Sequence, residues 1–182
     1  MTTEVVVLKD ATKDWLKIAT SPAMNNELFI FTPYVTGTIL NEIIDLAEGK
    51  IIHFITSLNV MSVISKSVDL EIIKTLLDRK ISVYSCPDLH AKLMYNGNSG
   101  VIGSQNYTRK GTRNLEASVL LDLNQVNQEI MDSLISDVIL QSTRLTSEIV
   151  LEFESECEKY SEKFTELRLL IKQLDNSLEK QS

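Results

Sequence analysis

Apolar positions change their spacing along the chain, and those changes mark its organisation. Residues 5–8, 28–31 and 51–55 are short continuous apolar runs, the composition of buried strands. Between them, residues 11–20 and 38–48 are spaced as helices. Trp15, Leu16 and Ile18 face inward in the first; Ile39, Leu40, Ile43, Ile44 and Leu46 form the stripe of the second, which Gly49 closes as a C-terminal stop. A helix around residues 69–79 and a strand over 81–84 follow, then three strands near His90, Val101 and Ala117. Strand–helix alternation followed by hairpin-linked strands predicts an α/β fold, a mixed β-sheet flanked by helices.

Beyond residue 122 the pattern becomes helical. No Gly or Pro occurs from Asn114 onward, so nothing interrupts long helices. Residues 123–146 set Val126, Ile130, Leu134 and Val138 at four-residue steps, a face expected to pack on the sheet or on a partner. Val150, Phe153, Cys157, Tyr160, Phe164, Leu167, Ile171, Leu174 and Leu178 then alternate steps of three and four. That is a heptad seam over residues 150–178, with Glu and Lys filling outer positions; coiled-coil pairing, within or between chains, would bury it. The expected division is an α/β domain over residues 1–122 and a C-terminal helical, coiled-coil extension over 123–182.

A chain of 182 residues with 43% hydrophobic content can bury a sizeable core. It opens without a basic leader and nowhere runs eighteen apolar residues together, so a cytoplasmic protein with no membrane association is expected. Cys86 and Cys157 lie far apart, as reduced thiols rather than a disulfide framework. No Cys/His cluster suggests a metal, and no cofactor is implied. The net charge of −7 is unevenly distributed: residues 79–115 hold 6 basic and 1 acidic residue, residues 116–182 hold 6 and 14. Arg79, Lys80, Lys92, Arg109, Lys110 and Arg113 would form a basic mouth able to hold a polyanion on an acidic protein, or the last three would merely solvate a loop.

The candidate chemistry lies in that basic segment. His90 and Lys92 are two apart in an apolar run, so on a strand an imidazole and an ammonium leave the same face. Gly103-Ser104 supplies a tight backbone, a hydroxyl and exposed N–H groups, and Asn106 adds an amide donor, all suited to phosphate oxygens. Glu116 opens a further strand that could deliver a carboxylate behind His90, fixing its tautomer. His53, inside a buried-strand run, reads as a hydrogen-bonded core or edge histidine rather than a catalyst.

His-x-Lys, Gly-Ser-x-Asn and a later Asn-x-Glu, in that order over residues 89–121, resemble the phospholipase D superfamily, above all its small single-motif and restriction-type nucleases. Residues 31–34, Phe-Thr-Pro-Tyr, resemble that family's early strand-to-helix turn. The resemblance implies His90 as nucleophile, Lys92 and Asn106 as phosphate binders, Ser104 as a further polar contact and Glu116 as orienter of His90. Arg109, Lys110 and Arg113 are the expected substrate-binding cations. Where the family carries Asp, this chain has Gly97, and the interval to Gly-Ser is one residue short.

Family chemistry uses two histidines, while the chain carries one motif. The implied protein is a homodimer with one composite site: a metal-independent phosphodiesterase, a nuclease cutting DNA or RNA through a phosphohistidine. A separate helicase or recognition subunit is a candidate partner. Two other readings remain, a phospholipid phosphodiesterase and a degenerate scaffold acting through the coiled coil.

Overall fold

The computed structural model describes residues 5–108, 110–111, 113–122 and 125–179, with side chains at all of these except 5, 125 and 174–179. Eight strands form one mixed sheet in the order β1-β7-β6-β5-β2-β3-β4-β8. The strands are β1 (Val5–Leu8), β2 (Glu27–Phe31), β3 (Ile51–Thr56), β4 (Ser82–Ser85), β5 (Leu93–Tyr95), β6 (Ser99–Gly103), β7 (Ser118–Asp122) and β8 (Thr143–Arg144). β2, β3 and β4 run parallel in the centre; every other pairing is antiparallel.

The central strands β2 and β3 are largely apolar because both their faces are covered. Leu28, Ile30, Ile52, Phe54 and Met94 point to one face, where they meet Trp15 and Ile18 of α1 (Thr12–Thr20), Leu40, Ile43 and Ile44 of α2 (Ile39–Leu46) and Ile73 and Leu76 of α4 (Leu70–Asp78). Their alternates Phe31, Ile55, Leu93 and Tyr95 point to the other and pack on Met131 and Ile135 of α5 (Gln125–Leu140). Gly49, at φ +86°, ends the turn after α2 as expected, and Asp69 caps α4 by accepting from the backbone N–H of Glu71. Leu46 does not join its stripe; it is exposed.

Short α3 (Val60–Ile64) has no counterpart among the sequence expectations. Its signal is a capping box: Asn59 accepts from the Ser62 N–H, and Ser62 Oγ accepts from the Asn59 N–H.

One expectation about the C-terminal region needs correction. The helix expected through residue 146 stops at Leu140, and the chain returns as β8 to pair with β4. Of the four-residue stripe Val138 packs on the sheet side, while Val126, Ile130 and Leu134 are exposed, which leaves a partner as the expectation for them; Met131 and Ile135 are the buried positions. Both faces of α5 carry apolar residues, so periodicity alone does not choose between them. The heptad seam divides in a similar way on α6 (Ser147–Glu179). Val150, Phe153 and Cys157 pack on the body of the protein, and Glu154 takes an ion pair from Lys74 of α4. Tyr160, Leu167 and Ile171 further along are about half exposed. The side chains of Leu174 and Leu178 lie outside the described residues.

Candidate active site

The carboxyl ends of the parallel strands carry the site, the usual ligand-binding edge of an α/β sheet. After β4 the chain turns through Cys86–Asp88. That turn is held by Cys86 N–H to Thr56 O at 2.9 Å and by Ser57 Oγ–H to the Pro87 carbonyl, also 2.9 Å. Leu89 is buried in the α5-facing core, and His90 emerges exposed beside it. The ladder reaches Lys92, whose carbonyl accepts from Gly103 N–H at 3.1 Å, although the regular strand begins at Leu93. Lys92 turns its ammonium back to donate to the His90 backbone carbonyl at 2.8 Å. Partial burial lowers the Lys92 pKa, and the nearby Glu116 carboxylate works in the opposite direction.

Gly103 is needed by close approach. A Cβ there would fall 2.1 Å from Ser118 Oγ and 2.6 Å from the Ala117 carbonyl. The loop that follows is anchored residue by residue. Ser104 Oγ donates to Glu116 and accepts from the Ala117 N–H at 3.1 Å. Gln105 is buried, accepts from the Ala11 N–H at 2.8 Å and donates to Asp10 Oδ1 at 3.0 Å, tying the loop to the start of α1. Asn106 Oδ1 faces the Thr32 hydroxyl at 3.3 Å. Tyr107 stacks on Trp15, ring centroids 4.1 Å apart, and its carbonyl accepts from the Thr36 N–H.

Gly111 brings the basic loop back onto this motif, because a Cβ there would stand 2.2 Å from the Asn106 carbonyl oxygen. Lys110 and Arg113, on either side of Gly111, are exposed. Arg109 lies outside the described residues. Arg79 and Lys80 do not share this edge. They precede β4, at the amino ends of the parallel strands, and Arg79 pairs with Asp45 at 2.7 Å. The basic mouth is therefore smaller than the sequence suggests.

His90, Lys92, Ser104 and Asn106 thus meet at one end of the β5–β6 hairpin, with Glu116 on the adjoining loop. The ring of His90 has no hydrogen-bond partner among the described residues, and Glu116 accepts from Ser104. Gly97 stands at the opposite, turn end of the hairpin, at φ +89°. A Cβ at 97 would lie 2.2 Å from Met24 Cβ, so no aspartate fits this backbone. Neighbouring Asn96 organises the turn instead, accepting from the N–H groups of Asn98 and Ser99 and donating to Ser21 Oγ. His53 is away from the site, stacked on Phe29 and 3.2 Å from Glu27. Thr32, Ser57 and Gln105 are site supports that motif reading missed; each acts across a long stretch of sequence.

The family profile described as cardiolipin synthase, PLD-like domain, matches residues 22–138, well over half the chain and the whole of this constellation. The chain belongs to the phospholipase D superfamily. Its fold is that of Nuc from Salmonella typhimurium, a phospholipase D family member, at TM-score 0.63 and 14% identity, covering 80% of this chain and 99% of that one. NucT from Helicobacter pylori matches at TM-score 0.55 and 12% identity, over 79% and 99%. Phosphatidylserine synthase from Haemophilus influenzae matches at 0.59 and 14%, over 92% of this phospholipase D-like chain but 46% of the synthase. No curated protein matches the sequence. Among the described residues, no helix is long and apolar enough to cross a membrane.

Proposed function

We propose that the protein is a phosphodiesterase that cleaves DNA or RNA at a composite site formed by two copies, with no divalent metal required. The observation that carries this reading is the exposed His90 beside the partly buried Lys92 ammonium, on the same hairpin end as Ser104 and Asn106.

His90 of one copy attacks phosphorus, forming a P–N bond as the P–O bond to the leaving group breaks. The second copy's His90 gives its proton to that leaving oxygen. The same imidazole then takes a proton from water, which attacks the phosphohistidine, breaks the P–N bond and frees the first histidine. Lys92 and Asn106 from both copies hold the charged equatorial oxygens. Glu116 anchors Ser104 and orients the site, and Lys110, Arg113 and Arg109 bind flanking phosphates.

Support for a nucleic-acid substrate comes from the exposed Lys110 and Arg113, cations suited to a polyanion on the loop beside Asn106. Support for a homodimer comes from the single motif and from two apolar surfaces, Val126-Ile130-Leu134 on α5 and Tyr160-Leu167-Ile171 on α6. The latter suits a coiled coil between extensions from residue 123 onward, in a cytoplasmic enzyme; a helicase or recognition subunit would choose its target.

The test is cleavage of labelled single- and double-stranded DNA and RNA in excess EDTA, with His90→Ala alongside. Cutting that survives EDTA and disappears in the variant is expected. Cutting that needs added metal, or that persists in His90→Ala, would overturn the mechanism. A phospholipid phosphodiesterase is the second reading, favoured by the family description and by the synthase of matching fold. Liposome cleavage without nuclease activity would select it.

A further inference from the structure

Thr32 closes β2 at the edge where the motif residues gather, and it is fully buried. Its backbone N–H is bound to the Ile55 carbonyl at 3.0 Å, so its position is set by the sheet rather than by the motif loop. Its hydroxyl meets two oxygens: the Tyr34 carbonyl at 2.7 Å and Asn106 Oδ1 at 3.3 Å. A hydroxyl carries one proton, so the two acceptors share it.

The other end of the Asn106 amide is different. Its Nδ2 donates to nothing among the described residues, and Asn106 is only partly buried. Oxygen inward and nitrogen outward is the orientation an anion requires, since the –NH2 carries both donors and the oxygen would repel a phosphate. An asparagine amide left alone can turn over, presenting its oxygen instead.

We infer that Thr32 is the positioning residue of the phosphate site: its hydroxyl holds the Asn106 amide oxygen inward and so aims the amide nitrogen at the scissile phosphate. This rests on the phosphodiesterase reading of the site and adds a residue 74 positions from Asn106 in the chain, joined to it only by the fold. Buried donors fixed before substrate arrives need no reorganisation during reaction, which is where such a contact contributes. The Phe-Thr-Pro-Tyr order suits the task. Phe31 fills the core below the site, and Pro33 has no N–H to compete for the same oxygens.

The experiment compares Thr32→Val, which keeps the shape and removes the hydroxyl, with Thr32→Ser, which restores it, each alone and in an Asn106→Ala background. The readouts are turnover of bis(p-nitrophenyl) phosphate and binding of tungstate, a tetrahedral oxyanion, by calorimetry. Thr32→Val is expected to lose about tenfold in kcat/KM and to bind tungstate more weakly, the scale of one lost oriented hydrogen bond. Thr32→Ser should recover most of both. In the Asn106→Ala background Thr32→Val should cost nothing further, because the two residues act through one contact.

A merely structural threonine would give equal losses in both backgrounds, and that result, or full activity in Thr32→Val, overturns the inference while leaving the phosphodiesterase reading intact. An unsubstituted protein with neither turnover nor tungstate binding would remove that reading and this inference with it.

Discussion

Gly111 lies directly against the backbone of Asn106, so closely that a Cβ would stand 2.2 Å from the Asn106 carbonyl oxygen and 3.3 Å from its nitrogen. The contact couples two halves of the candidate site: the loop of Lys110 and Arg113 is folded onto Asn106, the proposed phosphate binder. Because the obstructing atoms are backbone, neither partner can swing aside. Gly111→Ala should therefore shift Asn106 and lower kcat/KM at least tenfold, with a stability loss of about 1–3 kcal/mol from overpacking. Thermal melts and turnover measured together check this. Normal turnover in Gly111→Ala would show that the loop can move off the motif at no cost.

The Lys92 ammonium is disfavoured by partial burial and favoured by Glu116. Removing the carboxylate charge in Glu116→Gln leaves burial unopposed, so the Lys92 pKa falls further below its ordinary value. Phosphate binding needs the protonated form. The alkaline limb of the pH–kcat/KM profile is accordingly expected at lower pH in Glu116→Gln than in the parent. A limb that stays in place would show that Lys92 does not set it.

Asp10 joins the motif loop to α1, accepting from Thr12 and from Gln105. The Thr12 hydroxyl and backbone N–H, with smaller help from Gln105 and Lys13, hold its pKa below the ordinary 3.8. A depressed carboxyl pKa adds stability above its unfolded-state value and loses it as pH falls through the folded one. Asp10→Ala should melt below the parent at neutral pH, and the gap should close on acidification beyond that point. A gap independent of pH would assign the effect to lost packing.

Lys74 holds the first turns of α6 against α4 through Glu154, with Glu71 as a second acceptor. Those carboxylates raise its pKa, so the pair contributes fully below the unfolded-state value near 10.5 and fades as pH rises through the folded one. Lys74→Met should cost roughly 0.2–1 kcal/mol, the range for ion pairs that still reach solvent. Faster amide exchange around Val150 and Phe153, with the sheet unchanged, is the local signature to measure.

If two copies associate through the distal half of α6, charges on its apolar face must break them apart. Leu167→Glu with Ile171→Glu should convert the protein to monomers in sedimentation, with loss of composite-site turnover and an unchanged melt of the α/β body. A monomeric parent with full turnover would sink both the dimer and the composite site.

Sequence order was enough for much of this protein. Apolar runs in strands that bury both faces, the stop at Gly49 and the Asp69 cap are local signals, so β1 to β3, α1, α2 and α4 could be read with little error in their bounds. The motif could be read as well, because His90 and Lys92 lead into one strand and Ser104 and Asn106 leave the next, and the hairpin joining those strands converts sequence spacing directly into proximity. Choice of face was not legible. On α5 the regular stripe of Val126, Ile130 and Leu134 suited the sheet or a partner, and the sheet takes Met131 and Ile135. Spacing reports that a helix has an apolar side; only the partner surface decides which side that is.

The meaning of Gly97 was likewise out of reach. Read along the chain it is a gap in a catalytic signature. In the fold it is the far turn of the hairpin, closed by Asn96 and blocked by Met24. The sequence by itself determined the α/β class and the family and pointed to the candidate groups, because periodicity and motif spacing are local properties. The tertiary structure alone decided the supports of those groups: Thr32 on Asn106, Gln105 on Asp10 and Ser57 on Pro87. Each joins segments distant in sequence, and such contacts exist only once the sheet has fixed which strand ends lie side by side.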